Sequence, residues 1–275
     1  MFDQLLRAVV VPEVEAAIEK VAAEIGDYDP WGLAPQQAKI YFSLAYRIAR
    51  YFRPVIHGIE NLPKGRCLLV PNHSGQLPFD ALVVAVACLV DASPPRLVRA
   101  MAERWFPTLP FVNIAFSRAG VTVGDPINGR NLLEAENALL VFPEGTRGSG
   151  KTWDHRYRLV PFGRGFMRLA LQTGSPIIPV GVVGAEESII SLHNAQGIAD
   201  LLRMPYFPIP ALLPLLGPLA YLPLPTQFHV YFGEPLTFEG PFDDEDEAIE
   251  AKVTVVMEHV QGLLDRGLEE RTGIF

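Results

Sequence analysis

Three short stretches hold side chains able to move a proton and grip an anion. They are Asn72-His73-Ser74-Gly75-Gln76-Leu77-Pro78-Phe79-Asp80, Phe116-Ser117-Arg118 and Phe142-Pro143-Glu144-Gly145-Thr146-Arg147. A neutral imidazole can take the proton of an alcohol while the oxygen attacks a thioester carbonyl, an effect worth roughly 10²–10⁴ in rate. His73 then needs an orienting acid on its other ring nitrogen, and Asp80 is the carboxylate within reach in sequence. No serine or cysteine nucleophile is required, because a thioester is already an activated acyl donor. The Glu-Gly-Thr-Arg run places a small residue and a guanidinium at the end of an apolar strand, a compact corner for an anion. Arg118, just after another apolar stretch, offers a second fork to the same anion.

These stretches need a scaffold that brings distant loops together. From residue 55 onward, short apolar strands alternate with helices. Strands are expected at 55–58, 67–71, 96–101, 120–123, 138–142, 177–183 and 228–232, and helices at 79–90, 128–136, 163–174, 194–203 and 244–267. That alternation predicts an α/β fold: a single domain with a largely parallel central sheet flanked by helices. His73 falls in a strand-to-helix loop at a strand's C-terminal end, where sites form in such folds. Two helices precede this domain. One is expected over 3–25 and ends at Gly26. The other, over about 36–53, has a stripe of Tyr41, Leu44, Ile48, Tyr51, Phe52 and Val55 with Lys39, Arg47, Arg50 and Arg53 opposite. The expected division is therefore an N-terminal helical segment, 1–54, capable of docking on a membrane, and an α/β domain, 55–275.

Bulk composition narrows the class. With 49% hydrophobic and 20% charged residues, 275 residues can bury a full core and do not read as disordered. The net charge of −8 argues against nucleic acid as a partner. The charge is unevenly spread: residues 239–275 hold eleven acids against three bases, whereas Lys39 to Arg168 hold seventeen bases against nine acids. A basic middle can face an anionic substrate or membrane surface. Cys67 and Cys88 lie in apolar runs and read as buried free thiols. No His or Cys cluster implies a metal, and no cofactor is expected. The start of the chain has no cationic n-region or cleavable apolar core, so no signal peptide is expected.

Residues 205–225, PYFPIPALLPLLGPLAYLPLP, contain seven prolines and no charge. That proline density excludes a regular spanning helix. Such a segment can line an acyl-chain groove, dip into lipid or wrap across the core. A rival motif overlaps the third stretch: Gly145-Thr-Arg-Gly-Ser-Gly150-Lys151-Thr152 fits the P-loop pattern G-x-x-x-x-G-K-[ST] letter for letter. A P-loop requires a helix to begin at the Lys-Thr. The residues after Thr152 are charged and aromatic, lack apolar helical spacing and are stopped by Pro161, so the nucleotide-binding reading is rejected.

Asn-His…Asp, Phe-Pro-Glu-Gly-Thr-Arg and the later Ile178-Pro179-Val180 resemble the signature blocks of the glycerolipid (lysophosphatidic acid, PlsC-type) acyltransferase family. Gly75, Leu77, Pro78, Val183-Gly184-Ala185-Glu186-Glu187 and Tyr231-Phe232-Gly233-Glu234-Pro235 are similar to its mono/diacylglycerol acyltransferase-like branch. The likeness runs from about Val55 to Leu236, with the blocks in family order. It implies an O-acyltransferase with His73 as base and Asp80 as its partner. It implies that Arg118, Glu144, Gly145, Thr146 and Arg147 bind the acceptor, often through its phosphate, and that Pro179 shapes the acyl side. The donor would be acyl-CoA or acyl-carrier protein. The acceptor would be a lysophospholipid, glycerol phosphate or acylglycerol, met at the cytoplasmic face of a membrane by a peripheral protein. One departure stands out. The family pattern has four residues between His and Asp, and here there are six. Either Gly75 and Pro78 let the longer loop bulge so that Asp80 still meets His73, or a backbone carbonyl orients the imidazole and Asp80 caps the helix after it. In the second case a non-catalytic lipid-binding relative is the alternative.

Overall fold

Seven of the chain's strands pair into one sheet, and their order explains how the separated motifs meet. The structure is a computed structural model that describes residues 9–73, 77–103, 112–202, 204 and 206–275. The strands are β1 (Val55–His57), β2 (Cys67–Pro71), β3 (Val98–Ala102), β4 (Thr122–Val123), β5 (Ala138–Leu140), β6 (Ile177–Val183) and, after a small separate hairpin, β9 (His229–Phe232). Their spatial order is β1-β9-β6-β2-β5-β3-β4. The run from β6 to β4 is wholly parallel; β9 pairs antiparallel to β6, and β1 lies parallel to β9. The α/β fold with a largely parallel central sheet is thus the observed one.

Alternate residues of each central strand face opposite layers, as the two-residue strand period requires. One face, with Cys67, Leu69, Leu140, Ile178 and Val182, packs on α1 (Pro12–Val21), α2 (Pro35–Tyr51) and α3 (Phe79–Val90). The other, with Leu68, Val70, Leu139 and Ile177, packs on α5 (Pro126–Glu134), α7 (Gly165–Thr173) and the C-terminal helix α11 (Asp246–Glu270). The seven expected sheet strands and the long helices match in place, except that the helix expected over 3–25 is broken at Val10 and Val11 and α1 covers only Pro12–Val21. Missing from the sequence expectation are α4 (Val112–Arg118), the single turns α6 (Thr146–Ser149), α8 (Ala185–Ser188) and α10 (Leu213–Leu216), and the β7–β8 hairpin (Ser191–Asn194 with Pro208–Pro210) that flanks α9 (Gln196–Leu202). Most of these elements are too short to carry a readable period. Cys67 and Cys88 are free and buried, and burial pushes the Cys67 thiol up to about 12.

The N-terminal helices share the main core instead of standing apart from it. Val14, Ile18, Phe42 and Phe52 join the cluster that contains β2 and α3. Asp29, in the α1–α2 connection, pairs with the fully buried Arg99 of β3. Burial lowers the pKa of that guanidinium to about 10. The faces of α2 differ from expectation. Phe52 is buried with Ala38, Phe42 and Ala49, whereas Leu44, Ile48 and Tyr51 of the expected apolar stripe stand exposed. Lys39, expected on the polar face, is buried between Glu15 and Glu19 of α1. The stripe that packs combines small Ala38 and Ala49 with Phe42 and Phe52, and Leu44, Ile48 and Tyr51 lie on another face.

Candidate functional site

Parallel strands put all their C-terminal ends on one rim. The loops after β2, β5 and β6 therefore become neighbours although they are far apart in sequence. His73 leaves the end of β2, Glu144 follows β5, and Glu186 follows β6. Asn72 prolongs the β2–β6 pairing with its side chain, accepting from the Val182 N–H at 2.8 Å and donating to the Val182 carbonyl at 3.1 Å. The amide substitutes for one step of backbone ladder, so the chain can turn away at His73 without leaving Val182 unpaired.

The His73 loop is then fixed from both sides. Its backbone N–H donates to Glu144 Oε1 at 2.7 Å, and its ring lies 4.2 Å from that of Phe142, centroid to centroid. Its Nδ1 meets Asp80 Oδ2 at 2.7 Å, and the Asp80 side chain is fully buried. The same carboxylate uses Oδ1 to accept the Ala81 N–H at 2.7 Å. The two arrangements open in the sequence are therefore one: Asp80 binds the imidazole and also satisfies a free amide in the first turn of α3. The positive end of that helix favours the carboxylate's charge. Six intervening residues do not prevent the contact. Gly75, expected to let the loop bulge, lies outside the described residues with Ser74 and Gln76. With Nδ1 engaged, Nε2 is the nitrogen left to exchange a proton with substrate.

The Glu-Gly-Thr-Arg corner touches His73 directly. Gly145 has φ +58°, a conformation that L side chains rarely adopt, and it starts the single turn of α6. That turn brings Gly148 so close that a Cβ there would lie 2.9 Å from the His73 Cβ and 2.5 Å from the Glu144 Cβ. Glu144, expected to help bind the acceptor, makes its contacts within the chain. It is buried, and both oxygens are held by the chain: Oε1 by His73, and Oε2 by the Val160 N–H at 2.9 Å and Lys151 Nζ at 3.4 Å. It fixes the His73 backbone. Lys151 also pairs with Glu186 at 3.0 Å, and Glu186 accepts the Tyr157 N–H at 2.8 Å. Burial raises the Glu186 carboxyl pKa and Lys151 opposes that rise. This lysine, which completes the P-loop pattern in sequence, is sunk between two carboxylates, and only a three-residue 3-10 turn, Trp153–His155, comes after it. The P-loop geometry is absent.

The two arginines make separate contacts. Arg147 is exposed and donates to the Pro161 carbonyl at 2.9 Å. Arg118, at the end of α4, lies 3.9 Å over the Tyr28 ring, and its carbonyl accepts the Ala34 N–H. Among the described residues Arg118 shares no hydrogen bond with the corner. Thr146 begins the α6 turn beside Arg147. Pro179 sits in mid-strand, in register with Val70 and against the place where a Cβ on Gly233 would stand, below the rim that holds His73. The described residues contain no group of three or more His, Cys, Asp or Glu able to hold a metal ion.

Lys151, Glu186 and Tyr206 appear in the quoted motifs and segments, but sequence reasoning did not place them at the site. The Tyr206 ring lies against Gly150, 3.3 Å from where a Cβ would stand, and its hydroxyl bonds the Ser149 side chain. Burial raises its phenol pKa, with an opposing contribution from Ser149. Their local motifs do not show these contacts, because each gains its place from a partner in another loop.

A family model described as Acyltransferase matches residues 53–183. Over 259 residues the chain is 37% identical to an uncharacterized protein of Mycobacterium tuberculosis, covering 91% of this chain and 72% of that one. It is 22% identical over 215 residues to the mouse DGAT1/2-independent enzyme synthesizing storage lipids, covering 77% of this chain and 59% of the mouse protein. Among solved structures, the 1-acyl-sn-glycerophosphate acyltransferase PlsC of Thermotoga maritima has the same fold. The TM-score is 0.55 at 18% identity, over 94% of this chain and 96% of that one.

Proposed function

The chain belongs to the acyltransferase family, and from that premise we propose that it moves a fatty acyl group from an acyl-CoA or acyl-carrier-protein thioester to a lipid hydroxyl, with His73 as general base. The acceptor is a lysophospholipid, glycerol phosphate or acylglycerol, taken up by a peripheral protein at the cytoplasmic face of a membrane. The name of the mouse relative favours an acylglycerol, and that of the Thermotoga structure a lysophosphatidic acid.

The observation that carries the reading is the 2.7 Å contact of His73 Nδ1 with a fully buried Asp80 carboxylate. It leaves Nε2 to work. The acceptor hydroxyl oxygen forms a bond to the thioester carbonyl carbon as its proton passes to Nε2. The resulting imidazolium is stabilised by Asp80. When the tetrahedral intermediate collapses, the C–S bond breaks, the thiolate takes the proton from Nε2, and the imidazole is neutral again. Glu144 holds the His73 backbone, so the ring is already aimed when substrate arrives.

Thiol release from acyl-CoA, measured with lysophosphatidic acid and with monoacylglycerol, tests this. His73→Ala is expected to slow turnover by roughly 10²–10⁴. Near-native turnover in that variant would remove His73 from the role of base. Arg147→Ala and Arg118→Ala separate the acceptors: a loss confined to phosphorylated ones assigns the arginines to the phosphate.

A further inference from the structure

The proline-rich segment begins at the corner beside the base and ends on α2. From Tyr206 to Pro225 it has six prolines and no charged residue. At its far end the Pro223 carbonyl accepts from the Tyr51 hydroxyl at 2.8 Å and the Pro225 carbonyl from Arg53 at 2.5 Å. Between the ends the Tyr221 hydroxyl donates to the Pro208 carbonyl at 2.8 Å, and the Ala211 N–H to the Ile190 carbonyl at 2.8 Å. The segment is a strap tied down along its length. Its first residues also form the return strand of the β7–β8 hairpin. There Pro208 is in register with Asn194, and the Ala195 N–H donates to the Phe207 carbonyl at 2.8 Å. Tyr206 and Asn194 stand at one end of that hairpin.

Both residues close on the α6 turn. The Asn194 side-chain amide donates to the Gly150 carbonyl at 2.5 Å. The Tyr206 ring lies 3.3 Å from where a Gly150 Cβ would stand, and its hydroxyl bonds the Ser149 side chain. The Ser149 hydroxyl in turn reaches the Thr146 carbonyl at 3.4 Å. Burial, and after it the Asp80 charge, raise the phenol pKa against the contribution of Ser149, so the hydroxyl keeps its proton at neutral pH. One residue earlier the same turn meets the base: a Cβ on Gly148 would lie 2.9 Å from that of His73 and 2.5 Å from that of Glu144. The turn thus touches the hairpin through Ser149 and Gly150 and the base through Gly148. A single turn of helix is not stable on its own backbone bonds, so its place is set by what it packs against.

We propose that Tyr206 and Asn194 are positioning residues: the hairpin clamps the α6 turn, and the turn holds His73 in its working geometry through Gly148 and Glu144. Both act through the turn and not on the substrate. The leverage comes from the steepness of rate with geometry, since a base about 1 Å out of place costs up to roughly 10² in turnover. Hydrogen bonds too weak to decide whether the chain folds therefore decide how fast it works. The proposal rests on the acyltransferase reading for the reaction that is accelerated, and on the contacts alone for the clamp.

Thiol release by the full chain with a short-chain, water-soluble acceptor tests it, with melting and amide hydrogen exchange followed on the same samples. Tyr206→Phe keeps the ring against Gly150 and removes only the hydroxyl; Ser149→Ala removes its partner. Each is expected to lower kcat about tenfold with KM within about twofold of native. The double variant should be no slower than the slower single one, because both changes break the same bond. Asn194→Ala should lower kcat by a similar factor. In all of them exchange at residues 146–150 should quicken while melting stays near native. Native kcat in both Tyr206→Phe and Asn194→Ala would overturn the proposal. So would a loss confined to KM, which would make these side chains substrate contacts, or losses that multiply in the Tyr206–Ser149 double variant. If the native protein releases no thiol, the acyltransferase reading fails and exchange still judges the clamp: quickened at 146–150 it stands, unchanged it falls.

Discussion

Around His73, buried charged groups hold one another; along the strap, leucines stand exposed to solvent. Glu144, Lys151, Glu186 and Asp80 lie within the protein, joined by contacts of 2.7 to 3.4 Å. A few residues beyond Tyr206, Leu215 and Leu219 are among the most exposed large apolar residues of the chain. Each region reverses the usual partition of polar and apolar side chains. The reversals differ in kind. The buried charges compensate one another inside the molecule, so their cost is met by the fold. The exposed leucines are instead left largely in contact with solvent.

The largest expected effect strikes the first region. Lys151→Met leaves two buried carboxylates without their cation and should lower the unfolding free energy by about 3–5 kcal/mol, read from urea titration. Adding Glu186→Gln should recover part of that loss, and full additivity of the two changes would break the picture of one charge network. Next comes Asp80→Asn, expected to reduce kcat by about a hundredfold while melting stays near native, because the amide no longer stabilises the imidazolium. Unchanged kcat would reduce Asp80 to a helix cap. Gly148→Ala should strain the corner by about 1–3 kcal/mol, since its Cβ would overlap Glu144 and His73. A fall in kcat larger than the fall in stability would show that the strain reaches the base.

A smaller, pH-dependent effect belongs to neither region and serves as a control. His229 in β9 has both ring nitrogens buried without hydrogen-bond partners. Burial first, then the nearby His57 and Arg271, lower its pKa, while Glu270 opposes them. A base with a lowered folded pKa favours the neutral form in the native state. Stability is thus fully present above the unfolded value near 6.5 and declines as pH falls below it. His229→Asn should flatten that decline in denaturant midpoints measured from neutral to mildly acidic pH. The smallest effect is expected at the strap's far tie: Tyr51→Phe removes one exposed hydrogen bond to Pro223, worth about 0.5 kcal/mol. Proteolysis confined to residues 206–225 in that variant would show the tie to matter more than its energy suggests.

Much of the fold was readable because strands with continuous apolar runs, such as Cys67-Leu-Leu-Val and Ile177–Val183, have no other stable place than the middle of a covered sheet. The motif letters likewise marked His73, Asp80 and the Glu-Gly-Thr-Arg corner. The packed stripe of α2 was not readable, because helical spacing shows that a face is apolar and not which apolar face meets the core. Ala38, Phe42, Ala49 and Phe52 pack, and Leu44 and Ile48 are left outside.

Composition, period and spacing determined the class of fold, the strand sequence and the groups able to move a proton. Each of those depends on residues near one another in the chain. The side-chain contacts at the site were decided only by tertiary structure. Glu144 supports the His73 backbone, Lys151 is the counter-ion of two buried acids and Tyr206 lies against Gly150, because parallel strands deliver loops from across the chain to a single rim. A contact between residues about seventy positions apart, such as Glu144 with His73, leaves no local mark in either stretch. It exists only once the sheet order has placed β2 beside β5.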